Sequence, residues 1–155
     1  ALLSSTPEEL PVKVAALQEE MSEFRKQLAN MRRDSALTTF NLMLEDVETV
    51  KDVMVLAVEV PNCDADTLRS LADKFREKHP KHGVCVLASI LEGKSTLIAT
   101  VTEDLVKKGL KAGDIIQSIG GKGGGRPNLA QGSLPEGNVS EALSKVVKAV
   151  EEKLN

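Results

Sequence analysis

Five glycines fall within six residues in the run Gly120-Gly121-Lys122-Gly123-Gly124-Gly125, which closes on Arg126-Pro127. Glycine loses more conformational freedom on folding than any other residue. Such a run therefore belongs where the backbone must take φ > 0 or approach something closely. The pattern predicts a glycine-rich loop over 120–126, ahead of a short helix led by Pro127. Backbone N–H groups in front of a helix start make an anion site. Lys122 and Arg126 add mobile positive charge at the same place. The bland alternative is a flexible linker, but linkers are usually serine-rich and do not abut a proline-led helix. Phosphate binding is the chemistry this run favours.

Other constellations carry less. Ala88-Ser89-Ile90-Leu91-Glu92-Gly93-Lys94-Ser95 fits a loose phosphate-loop pattern, yet a true one opens directly into a helix. Here Thr96-Leu97-Ile98-Ala99-Thr100-Val101 follows, a β-branched strand pattern, so a hairpin turn at 91–94 is the better reading. Lys94 at its tip remains a candidate ligand contact. Cys63, His79, His82 and Cys85 lack the paired spacing of common zinc modules, and Cys85 sits in an apolar run where a thiol acts as a small hydrophobe. No metal site is expected. Both histidines crowd one loop, and no acid has a recognisable catalytic partner. No catalytic residue is therefore assigned.

The elements that position these residues read as follows. Thr6-Pro7-Glu8-Glu9 is a helix start with a capping box. Leu10, Val14, Leu17, Met21, Phe24, Leu28 and Met31 then follow at spacings of 4, 3, 4, 3, 4 and 3, an apolar seam of a/d type. A helix over 6–34 would be about 43 Å long at 1.5 Å per residue. The alternatives are a helix lying on its own core and a coiled-coil arm. The narrow stripe favours the arm, with a second copy or an upstream segment as partner. Residues 36–52 read as either continued helix or short strand. Strands are expected from Val53 to Val60, from Gly83 to Ile90 and from Ser95 to Val101. Asp64 caps a helix over 65–79, with Leu68, Leu71, Ala72 and Phe75 inward. Thr102 starts a short helix that Gly109 ends, and Lys111 to Ile119 form another. Asn138 with Glu141 makes a second capping box for a last helix running to about 154. The organisation is a tail at 1–5, a helical arm at 6–36, a connector at 37–52 and a globular domain at 53–155. The fold class is α/β (α+β), a small mixed sheet with packed helices behind a long coiled-coil-like helix.

Composition bounds the function. The 155 residues are 41% hydrophobic, enough for a real core. No apolar run approaches the ~20 residues needed to span a bilayer, and no leader pattern stands at Ala1. A soluble piece of a longer protein, cytoplasmic or organellar, is expected. Two cysteines suit a reducing compartment. Net charge is −3, but unevenly spread: residues 42–80 balance at −4, whereas 105–132 balance at +4 through Lys107, Lys108, Lys111, Lys122 and Arg126. The only aromatics are Phe24, Phe40 and Phe75, which excludes a reader that stacks many unpaired bases.

From about Val53 to Leu143 the chain resembles the C-terminal domain of bacterial-type alanyl-tRNA synthetases, whose domain is also attached to DHH-type proteins. The resemblance rests on Leu68-Arg69, Val84-Cys85-Val86-Leu87-Ala88, Glu92-Gly93-Lys94, Lys111-Ala112-Gly113 and, above all, Gly120 to Gln131. Two positions depart. Asn128 stands where the family usually has Asp, and Gly132-Ser133-Leu134-Pro135 replaces a run of smaller residues. The resemblance implies a non-catalytic module that contacts the outer corner of tRNA(Ala) and joins subunits through its helical part. Aminoacylation and editing centres would lie upstream. ATP and Mg, with Zn as an open addition, would belong to those other domains, and no cofactor to this one. Gly120, Gly121, Lys122, Gly123, Gly124, Gly125 and Arg126 are expected at the RNA. Gln131 would reach a base edge or ribose, with Lys94, Lys107, Lys108 and Lys111 around it. Leu10 to Met31 would make a homo-oligomer. The alternatives are the tail of a free-standing alanyl-tRNA editing protein and that of a DHH-type phosphoesterase.

Overall fold

The structure, a computed structural model, describes residues 10–135 and 138–155. The tail at 1–5, the helix start at 6–9 and the side chain of Leu10 lie outside the described residues. The chain divides into two units, Ala1–Asp34 and Ser35–Asn155.

Helix α1 covers Leu10–Met43. In the first unit the seam residues Val14, Leu17, Met21, Phe24, Leu28 and Met31 are each between 41% and 69% exposed. In the second unit the last turns of α1 bury Ala36 and Phe40, followed by Leu44 just beyond. The connector expected over 37–52 is thus helix and core for its first half. Phe40 is fully buried, and so much apolar area outweighs any preference for an open link.

After α1 come β1 (Glu48–Val50) and β2 (Val53–Glu59), joined by a tight turn in which Lys51 and Asp52 have φ of 48° and 69°. Helix α2 (Ala65–Lys78) crosses to β3 (Gly83–Leu91), and a turn at Glu92-Gly93 leads to β4 (Lys94–Val101). Short helices α3 (Glu103–Lys107) and α4 (Ala112–Ser118) precede β5 (Lys122–Arg126) and β6 (Leu129–Ser133). Helices α5 (Val139–Ser144) and α6 (Val146–Lys153) close the described chain. The sheet order is β1-β2-β3-β4-β6-β5. Only β2 and β3 run parallel, across the α2 crossover. The fold is the mixed α/β class read from the sequence.

Local chemistry explains several boundaries. The Asp64 carboxylate accepts the Thr67 N–H at 2.8 Å, capping α2. Thr102 starts α3 without a side-chain cap, because its Oγ1 accepts from Gly83 N at 3.1 Å instead. Asn138 caps α5 by accepting from Ser140 N at 2.9 Å. Glu141 does not close the expected capping box, and pairs with Lys145 at 3.3 Å. The expected single last helix is broken at Lys145 into α5 and α6.

Two apolar layers hold the sheet. Val53, Val55, Val84, Val86, Leu97 and Ala99 pack against the helices α3 to α6. Leu56, Cys85, Leu87 and Ile98 pack against α2 and the end of α1. Strand β3 is therefore buried on both faces, as its unbroken apolar run requires. Burial, helped by Asp64, pushes the Cys63 thiol up to about 11, and burial alone raises Cys85. Both are small core hydrophobes.

His79, the C-cap of α2, sets a pH dependence. Its ring lies 5.0 Å from that of Phe75. Burial, then the Lys78 charge, lowers its pKa from the ordinary 6.5. The unfolded chain therefore binds this proton at a higher pH than the folded one, and stability falls as pH drops from above 6.5 through the lower folded value. The melting midpoint should be lower at about pH 5 than at about pH 7.5, and the difference should shrink in His79→Gln. An unchanged pH slope in that variant would assign the effect elsewhere.

Candidate nucleic-acid interface

The glycine run is not a loop before a helix. Residues 122–126 form β5, the exposed edge strand, and Pro127-Asn128 turn the chain into β6. Glycine is a poor strand former, so the cause lies in tertiary packing. A Cβ on Gly123 would lie 2.2 Å from Gln131 O and 2.4 Å from Gly132 Cα. One on Gly125 would lie 2.6 Å from Leu129 O, and one on Gly132 2.6 Å from Lys122 O. The two strands approach more closely than side chains permit. Gly120 has φ +91° and ends α4. Gly121 is buried, and a Cβ there would meet Ile116 Cγ2 at 2.7 Å. Gly121 therefore serves the packing of α4 against the sheet. Only Gly124 of β5 has nothing within 4 Å of a would-be Cβ.

Pairing sorts the side chains. Gly123 is opposite Gly132, where a Cβ would meet Ile116 of α4 at 3.0 Å. That row faces α4. Successive strand residues alternate, so Lys122, Gly124 and Arg126 share the other face with their partners Ser133, Gln131 and Leu129. On this face Arg69 Nη2 of α2 donates to Gln131 Oε1. Arg69 also pairs with Asp66, and Arg76 with Asp73, both at 3.2 Å. Exposed pairs of this kind are worth little, so the guanidinium groups can exchange them for phosphate. Arg76 lines a small cavity with Asn128 at the hairpin turn.

The other expected cations distribute unevenly. Ala112 N donates to Pro127 O at 2.9 Å, which holds Lys111 beside the turn next to Arg126. Ser95 Oγ bonds Leu134 N and O at 2.9 Å, which holds Lys94 near the Lys122 end of the hairpin. Lys107 and Lys108 are exposed at the end of α3. Lys122 and Arg126 thus mark the two ends of a bare strip of main chain about 14 Å long at ~3.4 Å per residue. Such a strip, ending in cations at both ends and bordered by arginine, fits a sugar–phosphate surface. Arg69 and Arg76 were not assigned from sequence, because their place beside Gln131 and Asn128 depends on the packing of α2. Among the described residues no group of three or more His, Cys, Asp and Glu is placed to hold a metal.

The profile of the DHHA1 domain matches residues 52–155. The chain belongs to the DHHA1 domain family. Its relatives include alanine–tRNA ligases. That of Dehalococcoides mccartyi is 38% identical over 150 residues, covering 94% of this chain and 17% of that protein. That of Burkholderia cenocepacia is 38% identical over 159 residues, covering 99% and 18%. This DHHA1 chain thus spans less than a fifth of the curated relatives it matches. Among solved structures it is similar to the C-Ala domain from Aquifex aeolicus alanyl-tRNA synthetase, at TM-score 0.59 and 27% identity, covering 68% of this chain and 97% of that one. A DHH-domain member of the s1p family of ribosomal proteins, at TM-score 0.52 and 13% identity over 79% of this chain and 31% of that one, shares the fold alone. No helix among the described residues is long and apolar enough to cross a membrane.

Proposed function

We propose that this DHHA1 chain is the C-terminal, tRNA-binding and self-associating part of an alanine–tRNA ligase, without a catalytic centre of its own. The observation that carries the RNA reading is the exposed face of β5 and β6. There the bare main chain at Gly124 lies between Lys122 and Arg126 and beside the Arg69–Gln131 bond. Lys122, Arg126 and Arg69 neutralise phosphates. Gln131 meets a base edge or ribose, and Lys94, Lys107, Lys108 and Lys111 form an outer rim. Recognition is of backbone and shape, as suits folded RNA. In this reading the target is the elbow of tRNA(Ala), and the role is to hold one tRNA for both aminoacylation and editing. ATP and Mg chemistry belongs to the rest of the ligase, in the cytoplasm. Affinity of the isolated chain is weak, since few phosphates are neutralised, and tethering restores avidity.

Exposure of the apolar seam from Val14 to Met31 supports the second role, assembly of two or more copies through α1.

Lys122→Ala with Arg126→Ala should weaken tRNA binding by about ten- to a hundredfold and reduce the salt slope by about 1.5 to 2. Sedimentation should show unchanged assembly. Equal affinity and slope for both proteins across several salt concentrations would refute the interface.

A further inference from the structure

The two edges of the sheet differ in sign. The β5 edge carries cations, and the opposite edge is acidic and incomplete. Strand β1 pairs only with Val53 to Val55 of β2, because the chain before it bends away at Asp46. Met54 and Val60 direct their N–H groups toward the β3 side, to His82 O and Ala88 O. The alternate residues Ala57 and Glu59 therefore aim theirs at the vacant side. Among the described residues neither has a backbone partner there. A groove of about 560 Å³ runs along this free edge, lined by Ala57, Leu143 and Val147 together with the carboxylates Asp46, Glu48 and Glu59. Among the described residues no Lys or Arg lines it.

We propose that this edge binds an extended segment of another protein, alternating apolar and basic residues, as an added strand. Free main-chain groups supply strand pairing, and alternate side chains of the segment take opposite faces of the sheet: basic ones meet Glu48 and Glu59 on the Val55 and Ala57 face, and apolar ones meet Leu56 and Val58 on the other. Charge decides the occupant. Three carboxylates without a lining cation repel RNA, which the opposite edge suits. A second copy of this chain would bring the same three carboxylates to the seam and double its negative charge with no lining cation to offset it. A basic segment satisfies both the hydrogen bonds and the charge.

The test titrates the full chain with a fluorescent peptide of alternating lysine and valine, and with a peptide of equal composition in two blocks. Anisotropy should show the alternating peptide binding at least about tenfold tighter. Amide shifts and slowed exchange should centre on Ala57 and Glu59. Methylating the peptide's edge-facing amides should abolish binding. Glu48→Gln with Glu59→Gln should weaken it at least about tenfold, with melting and tRNA affinity unchanged. Equal binding of the block peptide, absence of shifts at Ala57 and Glu59, displacement of the peptide by tRNA, or self-association through this edge would each overturn the proposal.

Discussion

Gly123→Ala should destabilise the sheet edge by about 2 to 4 kcal/mol, the upper range for one substitution. The added Cβ lies 2.2 Å from Gln131 O and 2.4 Å from Gly132 Cα, where contact distances are about 3.5 to 4 Å. Both obstacles are backbone, so no rotamer change relieves the overlap. Strand β5 is an edge strand, so the cheapest relief is to detach it from β6. Hydrogen exchange should then show loss of protection at 122–126 and 129–133 before the rest of the sheet opens. Gly124→Ala, one residue away, meets nothing within 4 Å and should change stability by no more than about 1 kcal/mol. It adds one methyl to the exposed strip between Lys122 and Arg126 without moving the strand. Weaker tRNA binding with intact protection would then measure close approach of the RNA to this backbone. Retained stability and protection in Gly123→Ala would show that the two strands do not cross so closely.

Met21→Asp with Leu28→Asp should abolish self-association. Both lie on the open seam of α1, at 54% and 47% exposure. Each change forfeits about 1.5 to 3 kcal/mol of apolar burial and sets a charge in the seam. Two sites in each of two chains move the dissociation constant by about four orders of magnitude or more, at ~1.4 kcal/mol per tenfold. Sedimentation velocity should report a monomer at concentrations where the unmodified chain associates, with the melting of residues 35–155 unchanged. An oligomer of unchanged size would remove α1 as the contact.

Legibility followed the range of the interactions. The strands β2, β3 and β4 were visible because an apolar, β-branched run declares itself within eight or nine residues. Helix α2 was visible through Asp64 and the spacing of Leu68, Leu71, Ala72 and Phe75, all now buried or capping as read. The Glu92-Gly93 turn was visible because a charged residue and a glycine interrupt two apolar, β-branched runs; both residues adopt positive φ, which Gly93 takes without steric cost. The continuation of α1 through Phe40 and the brief β1 were not resolved, since Leu37 to Leu44 suits either helix or strand until its partners are known.

The candidate site divides the same way. Sequence alone determined that glycines and two cations stand together at 120–126, and that the surrounding segment is basic within an acidic chain. It could not determine the conformation, because a glycine has no side chain to carry a period. Tertiary structure turned the run into a strand by pairing it with 129–133 on the free edge of β4. The same packing brought Arg69 to Gln131, 62 residues away in the chain. Composition is written residue by residue, but the closeness of two backbones, and the company a side chain keeps, exist only once the sheet has formed.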